Sequence, residues 1–225
     1  MRLRTKRLSP SWFLVILLFS LATPLLLPQT QSNANAWDWK TRDSWQRPQQ
    51  VMDSLGLRSG SVAADLGCGN GYFTFHLADR VGTSGKVFAV DVQENLVEEI
   101  RRGAKEKRLP QIDAIVGATD DPHLPPGSLD AILIVNAYHE FSDYSAMMEH
   151  SYQALKPGGR LAVIDFLAEA GRPRAEYVAH HKISPELVRD ELEHRHFRFV
   201  LREADIPIPG ESKEFFFLLF DKPAQ

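Results

Sequence analysis

From residue 62 onward the chain alternates short apolar runs with stretches in which apolar residues recur every three or four positions. The first pattern suits strands buried on both faces, and the second suits helices with one buried side. Val62–Leu66, Lys86–Asp91, Ile112–Val116, Leu129–Val135 and residues 160–165 read as five strands. Between them, Phe73, Leu77, Ala78 and Val81 share one face of a helix over Tyr72–Val81, and Leu96, Ile100 and Ala104 share one face over residues 95–107. A further helix is expected over residues 144–155, stopped by Lys156-Pro157-Gly158-Gly159. The alternation predicts a three-layer α/β/α sandwich around a mostly parallel sheet. The ending breaks it. Ser184 and Pro185 open a helix that runs to about Arg195, and two successive strands follow at 197–203 and 215–221, joined by a loop with Pro207, Pro209 and Gly210. Strands in direct succession form a hairpin, so the seven-stranded sheet must end with one strand antiparallel to the rest.

The first apolar run leads straight into Gly67-Cys68-Gly69-Asn70-Gly71, and a helix begins at the next residue. A glycine turn between strand and helix brings bare N–H groups to the carboxyl edge of the sheet, where open α/β sheets bind nucleotide-like ligands. The spacing is G-x-G-x-G with Tyr72 where a dinucleotide fingerprint wants its third glycine. Asp91 ends the second strand twenty residues beyond Gly71, placed to accept hydrogen bonds from a ribose or, alternatively, to cap the next helix. The fourth strand runs out into Asn136-Ala137-Tyr138-His139-Glu140-Phe141 on the same edge.

The chain before residue 61 divides in two. Arg2, Arg4, Lys6 and Arg7 precede an uncharged apolar run of 16 residues from Trp12 to Leu27, and Ala34 and Ala36 give the small-x-small pattern of a signal-peptidase site. Residues 1–36 are therefore read as an export signal cleaved after Ala36, with an uncleaved membrane anchor as the alternative, since about 20 apolar residues are needed to span comfortably. Export would leave the mature protein in the periplasm or another extracytoplasmic compartment. Residues 37–60 read as a lead-in, with Trp37, Trp39 and Trp45 anchored on the core or forming part of a lid, and a short helix from Pro48 ending at Gly56. Residues 61–225 form the main domain.

Composition narrows the function. Without the four basic residues of the leader the formal net charge falls from −3 to −7, and a mildly acidic globule has no charge reason to bind nucleic acid. The single cysteine, Cys68, excludes an intrachain disulfide and a cysteine-based metal cluster. It reads as a small side chain filling the turn.

Together these motifs resemble the class I, seven-stranded S-adenosylmethionine-dependent methyltransferases, with their Rossmann-like sheet and reversed last strand. The residues that carry the likeness are Ala64-Asp65-Leu66-Gly67-Cys68-Gly69-Asn70-Gly71, Asp91, Asn136 to Glu140 and Leu155-Lys156-Pro157-Gly158-Gly159-Arg160. It spans residues 51–221. The resemblance implies S-adenosyl-L-methionine as cofactor and a small molecule as acceptor. It also implies that Asp65 and the loop of Gly67, Cys68, Gly69 and Gly71 hold the amino-acid part, that Asp91 holds the ribose with Val92 beside it, and that Asn136 joins the site. Where relatives carry Gly-Asp for the adenine, this chain has Gly117-Ala118, so Thr119 or Asp120 stands in.

Methyl transfer from a sulfonium is an in-line displacement that alignment and desolvation can drive, and a base is needed only for an acceptor that carries a proton. His139 and Tyr138 are the candidates for that base, His139 alternatively serving to close the pocket floor by a backbone hydrogen bond. His180 and His181 lie in the linker before the last helix and with His139 would make a metal site only if the fold brought them together, so no metal ion is expected. Two other functions use the same topology: a nicotinamide dehydrogenase, disfavoured by Tyr72 and the terminal hairpin, and a non-catalytic cofactor-binding or scaffold protein, favoured if export separates the domain from its cofactor.

Overall fold

The computed structural model describes residues 38–224. The expected leader, its cleavage site and Trp37 lie outside these residues. Among the described residues, no helix is long and apolar enough to cross a membrane.

Eight strands make one sheet: β1 (Val62–Leu66), β2 (Lys86–Asp91), β3 (Ile112–Val116), β4 (Leu129–Val135), β5 (Leu155–Phe166), β6 (Arg198–Arg202), the two-residue β7 (Ile206–Pro207) and β8 (Glu214–Asp221). They lie in the order β3-β2-β1-β4-β5-β8-β6, with β7 paired to β8 off that path. The first five are mutually parallel. The last, β8, is antiparallel to both β5 and β6, so the reversed strand expected from the hairpin is inserted between them. Seven strands form the ladder as expected, and β7 is the addition that no apolar run announced.

Among the described residues, seven α-helices accompany the sheet: α1 (Trp39–Gln46), α2 (Pro48–Ser54), α3 (Tyr72–Val81), α4 (Glu94–Lys107), α5 (Tyr144–Ala154), α6 (Arg174–Ala179) and α7 (Pro185–Glu193). Side-chain alternation along each central strand feeds two cores. Ile132, Ile134, Leu161, Val163, Phe216, Leu218 and Phe220 point into one, and Ala131, Leu133, Ala162, Ile164, Phe215, Phe217 and Leu219 into the other. This is why β4, β5 and β8 read as unbroken apolar runs. The outer strand β6 instead carries Arg198 and Arg202, paired with Asp221 and Asp205, and such charges keep an open edge from recruiting another chain.

Four local readings change. The helix before β5 stops at Ala154, because Leu155 pairs with Leu129 and the Lys156–Gly159 segment already belongs to the strand. The buried face of α4 is Val97, Ile100 and Ala104, while Leu96 turns to the sheet edge where the site lies. The lead-in holds two helices, with Trp45 buried against Phe215 at 5.9 Å, nearly parallel, and Trp39 lying on Tyr72 and Phe75. The segment after β5 contains α6, which is too short for its periodicity to show.

Candidate functional site

The carboxyl ends of β1, β2, β3 and β4 open into one cleft. Its floor is the glycine turn. Gly67 N and Cys68 N both donate to Val90 O, at 2.8 and 3.0 Å, so the turn is stitched onto β2. Gly67 has φ +77° and a Cβ there would come within 2.4 Å of the Ala137 Cβ, which demands glycine for the packing of the β1 and β4 ends. Gly69 differs. Its φ is +52°, but a Cβ there would meet nothing within 4 Å, because the space above it is the cleft. Gly71 caps α3, and a Cβ would strike Ile100 Cδ1 at 2.3 Å, so this glycine serves the contact of α3 with α4 and does not line the cleft.

Asp91 ties the floor to the wall. Its Oδ2 accepts from Gly69 N at 2.9 Å and its Oδ1 from Gln93 N at 3.0 Å. The next helix takes Gln93 as its cap without a side-chain hydrogen bond, so Asp91 acts one step earlier by holding two loops in register. Each carboxylate oxygen has a second lone pair, and Asp91 lines the cleft, so it can still accept from a ligand hydroxyl pair. Val92 and Leu96 border it, and Ala118 and Thr119 close the far wall. Of the two expected stand-ins for the adenine contact, Thr119 lines the cleft. Asp120 does not: its carbonyl accepts from His150 Nδ1.

Asn136 sits in the left-handed region at φ 55°, which Asn tolerates better than most residues. Its N–H donates to Ile164 O at 2.7 Å, while its Oδ1 is buried without a partner and lines the cleft. An orphaned acceptor at that depth suits a ligand ammonium or hydroxyl. The open cradle over Gly69, the half-used carboxylate of Asp91 and this orphan together fit the amino-acid, ribose and sulfonium parts of S-adenosylmethionine.

Two expected contacts lie elsewhere. The Asp65 carboxylate is buried, accepts the Thr74 hydroxyl at 2.6 Å and is not among the residues that line the cleft. Burial pushes its pKa up to about 6, against the Thr74 hydrogen bond and the Arg42 charge. Cys68 packs with Ala89, Val97, Ile100 and Ala114. Burial raises its thiol far above the ordinary range, with Asp65 and Asp91 adding, so it is an inert filler and position 68 shapes the cleft only through its backbone.

The cleft's other end is the 3-10 turn Tyr138–Glu140. Tyr138 points away from the cleft. Its hydroxyl donates to Glu191 Oε2 at 2.9 Å, and burial with the Glu191 charge holds its pKa well above the usual tyrosine value, so the expectation that it acts as a base does not hold. His139 has its Nδ1 2.8 Å from Asp165 Oδ1, its backbone N–H on Asp165 Oδ2 at 3.0 Å, and its Nε2 buried with no hydrogen-bond partner. Burial lowers the His139 pKa, but the hydrogen bond and charge of Asp165 and the charge of Glu140 outweigh it, and the net shift is upward.

The turn is held from outside by Arg174 on α6. Its guanidinium meets Glu191 Oε2 at 2.6 Å, donates to the carbonyls of Tyr138 and Phe141 at 3.1 and 3.2 Å, and lies 4.2 Å over the Tyr144 ring. Arg174, Glu191 and Asp165 are the residues the linear pattern missed. Asp165 carried a signal as an acid ending a buried strand; a lone arginine after Pro173 carried none.

Residues 34–185 match the ubiE/COQ5 methyltransferase family. The chain belongs to that family. It is a family of class I S-adenosylmethionine-dependent methyltransferases. The chain is 32% identical over 127 residues to a demethylmenaquinone methyltransferase of Lactococcus lactis, covering 56% of this chain and 50% of that one. It is 28% identical over 127 residues to one of Listeria welshimeri, covering 56% and 53%. It thus spans about half the length of these curated relatives. A crystal structure of a SAM-dependent methyltransferase from Aquifex aeolicus superposes with a TM-score of 0.65 at 25% identity, over 78% of this chain and 89% of that one. The [4+2]-cyclase SpnF has the same fold, with a TM-score of 0.72 at 18% identity over 86% of each chain.

Proposed function

We propose that this chain transfers a methyl group from S-adenosylmethionine to a small-molecule acceptor that reaches the cleft from the side of His139 and Glu140. The observation that carries the reading is the pairing, on one sheet edge, of a glycine cradle open above Gly69 with a carboxylate, Asp91, whose loop-holding bonds leave lone pairs for a ribose. The cofactor supplies a methyl carbon on a sulfonium sulfur, which leaves as a neutral thioether.

The chain's own residues hold and align. Asp91 accepts the ribose hydroxyls, Asn136 Oδ1 accepts from the polar end of the cofactor, and Thr119 stands at the adenine wall. Asp165, itself held by Phe166 N at 2.7 Å, fixes the His139 ring so that Nε2 presents a lone pair, ready to take the proton of an oxygen or nitrogen acceptor. Quinone precursors belong in the first acceptor panel, since the relatives are named demethylmenaquinone methyltransferases. Place is part of the reading: the basic start, the apolar run and Ala34 and Ala36 support export with cleavage after Ala36, an uncleaved segment instead giving membrane association.

Calorimetric titration with S-adenosylmethionine and NAD, followed by a methyl-transfer assay over phenol, enol and quinone-precursor acceptors, tests the function. Stoichiometric binding of S-adenosylmethionine and a product heavier by one methyl are expected. Binding of NAD in its place, or cofactor binding with no turnover on any acceptor that a deletion strain accumulates, overturns it.

A further inference from the structure

Asp165 has no exposed surface, and both of its oxygens accept backbone N–H groups, from His139 and Phe166. An ionised carboxylate only accepts, so His139 donates to it through Nδ1 and keeps Nε2 as a bare lone pair. A buried imidazole nitrogen with no partner is costly unless something occupies the space before it. What faces it is Glu140 Oε1 at 3.6 Å, and beyond that His181, whose Nδ1 is 3.7 Å from the same oxygen and whose ring stands perpendicular to that of His139 at 5.7 Å. The three side chains each offer one ligand atom within 4.8 Å of the others.

We propose that His139, Glu140 and His181 form a site for a divalent transition-type cation, with Zn2+ the best match and Asp165 orienting His139 from behind. Two imidazoles and a carboxylate are a borderline donor set that suits zinc-like ions, whereas calcium and magnesium want oxygen alone. With bonds of about 2.0 to 2.2 Å, tetrahedral ligand atoms stand about 3.4 Å apart, so two of the separations are already within a few tenths of an ångström. The third closes by rotation of His181, which is three-quarters exposed. A carboxylate behind a ligating histidine is the usual arrangement in such centres, since it fixes the tautomer and raises ligand basicity.

Three protein ligands leave a fourth position open, and that position borders the cofactor cleft because Glu140 also lines it. Resting on the methyl-transfer reading, the site names the acceptor chemistry as one with an acidic hydroxyl, a phenol or an enol. The cation lowers the pKa of the oxygen it binds, the proton leaves to solvent, and His139 is then a ligand rather than the base.

Tag-free full-length protein, stripped of metal, is titrated with Co2+ by visible absorption and with Zn2+ by calorimetry, with S-adenosylmethionine binding measured in parallel. About one equivalent of each metal is expected, with affinity reduced at least ten-fold in His181→Ala and in Glu140→Gln and unchanged in His180→Ala. His181 and Glu140 are exposed, so these variants fold. Absence of saturable uptake, or uptake by His181→Ala equal to that of the parent, overturns the metal site even when cofactor binding is intact. Stoichiometric, His181-dependent uptake in protein that fails to bind S-adenosylmethionine supports the site and overturns the methyl-transfer reading instead.

Discussion

The two ends of the cleft are built by different means. At the β1–β2 end, backbone groups and contiguous residues make the site: Gly67, Cys68 and Gly69 donate main-chain hydrogen bonds to residues brought beside them by strand pairing. At the β4–β5 end the site rests on side chains far apart in sequence, Asp165 on His139, Glu191 on Tyr138 and Arg174 on the turn between them. A backbone-built site needs a local motif, and a side-chain-built site needs the whole fold. Substitutions should therefore separate binding from stability at the first end and mix them at the second.

The largest effect on binding is expected at the first end. In Gly69→Val a branched side chain at φ +52° fills the cleft floor, and S-adenosylmethionine affinity should fall more than about 100-fold by calorimetry while the circular dichroism spectrum is retained. Unchanged affinity would move the cofactor elsewhere. At the second end, Arg174→Ala strands Glu191, a buried acid, and should cost about 3 to 5 kcal/mol of unfolding free energy in urea titrations. Because burial already raises the Glu191 pKa against the Arg174 and Tyr138 contacts, that loss should shrink as pH falls and Glu191 takes up a proton. A pH-independent loss would mean that packing of α6, not charge, is at stake.

Asp91→Ala tests whether the first end is as purely ligand-directed as its geometry suggests. Cofactor binding should weaken by ~1.5 to 3 kcal/mol, the range for hydrogen bonds to a charged group, with a folded domain remaining. A collapse of the melting temperature with normal affinity in the surviving protein would make its bonds to Gly69 and Gln93 the whole of its role. The smallest effect concerns Asp65. With its pKa pushed up to about 6, the folded protein holds a proton over a range where the unfolded chain has lost it, so stability falls as pH rises through that window. Asp65→Asn removes this dependence, and its stability relative to the parent should improve by about 1 to 1.5 kcal/mol between pH 5 and pH 8. A flat difference would show that Arg42 and Thr74 already neutralise the cost.

The same contrast explains what could be read from the sequence. Strands β1 to β4 and helix α3 were legible to the residue, because a strand buried on both faces writes a continuous apolar run and α3 repeats one apolar face. That Gly69, Asp91, Asn136 and Thr119 would line one cleft was legible because they stand at or just past strand ends in a fixed order. Asp65 was misplaced, since nothing local says on which side of the turn a strand-end acid will face. Tyr138 was misread as a base because Glu191, the partner that occupies it, lies on a helix more than fifty residues later. Helices α1 and α6 were missed since six or eight residues form a helix only through tertiary packing.

The insertion of β8 between β5 and β6 has a consequence for the order of events in folding. The outer edge of β5, the one not paired to β4, and parts of both cores wait for Phe215 to Phe220, which are synthesised after every other element. Until then the parallel half of the sheet ends in an open, apolar strand of the kind that recruits other chains. Pairings this distant in sequence are also slow to form. A chain cut before Glu214 would thus be a sticky intermediate rather than a smaller enzyme.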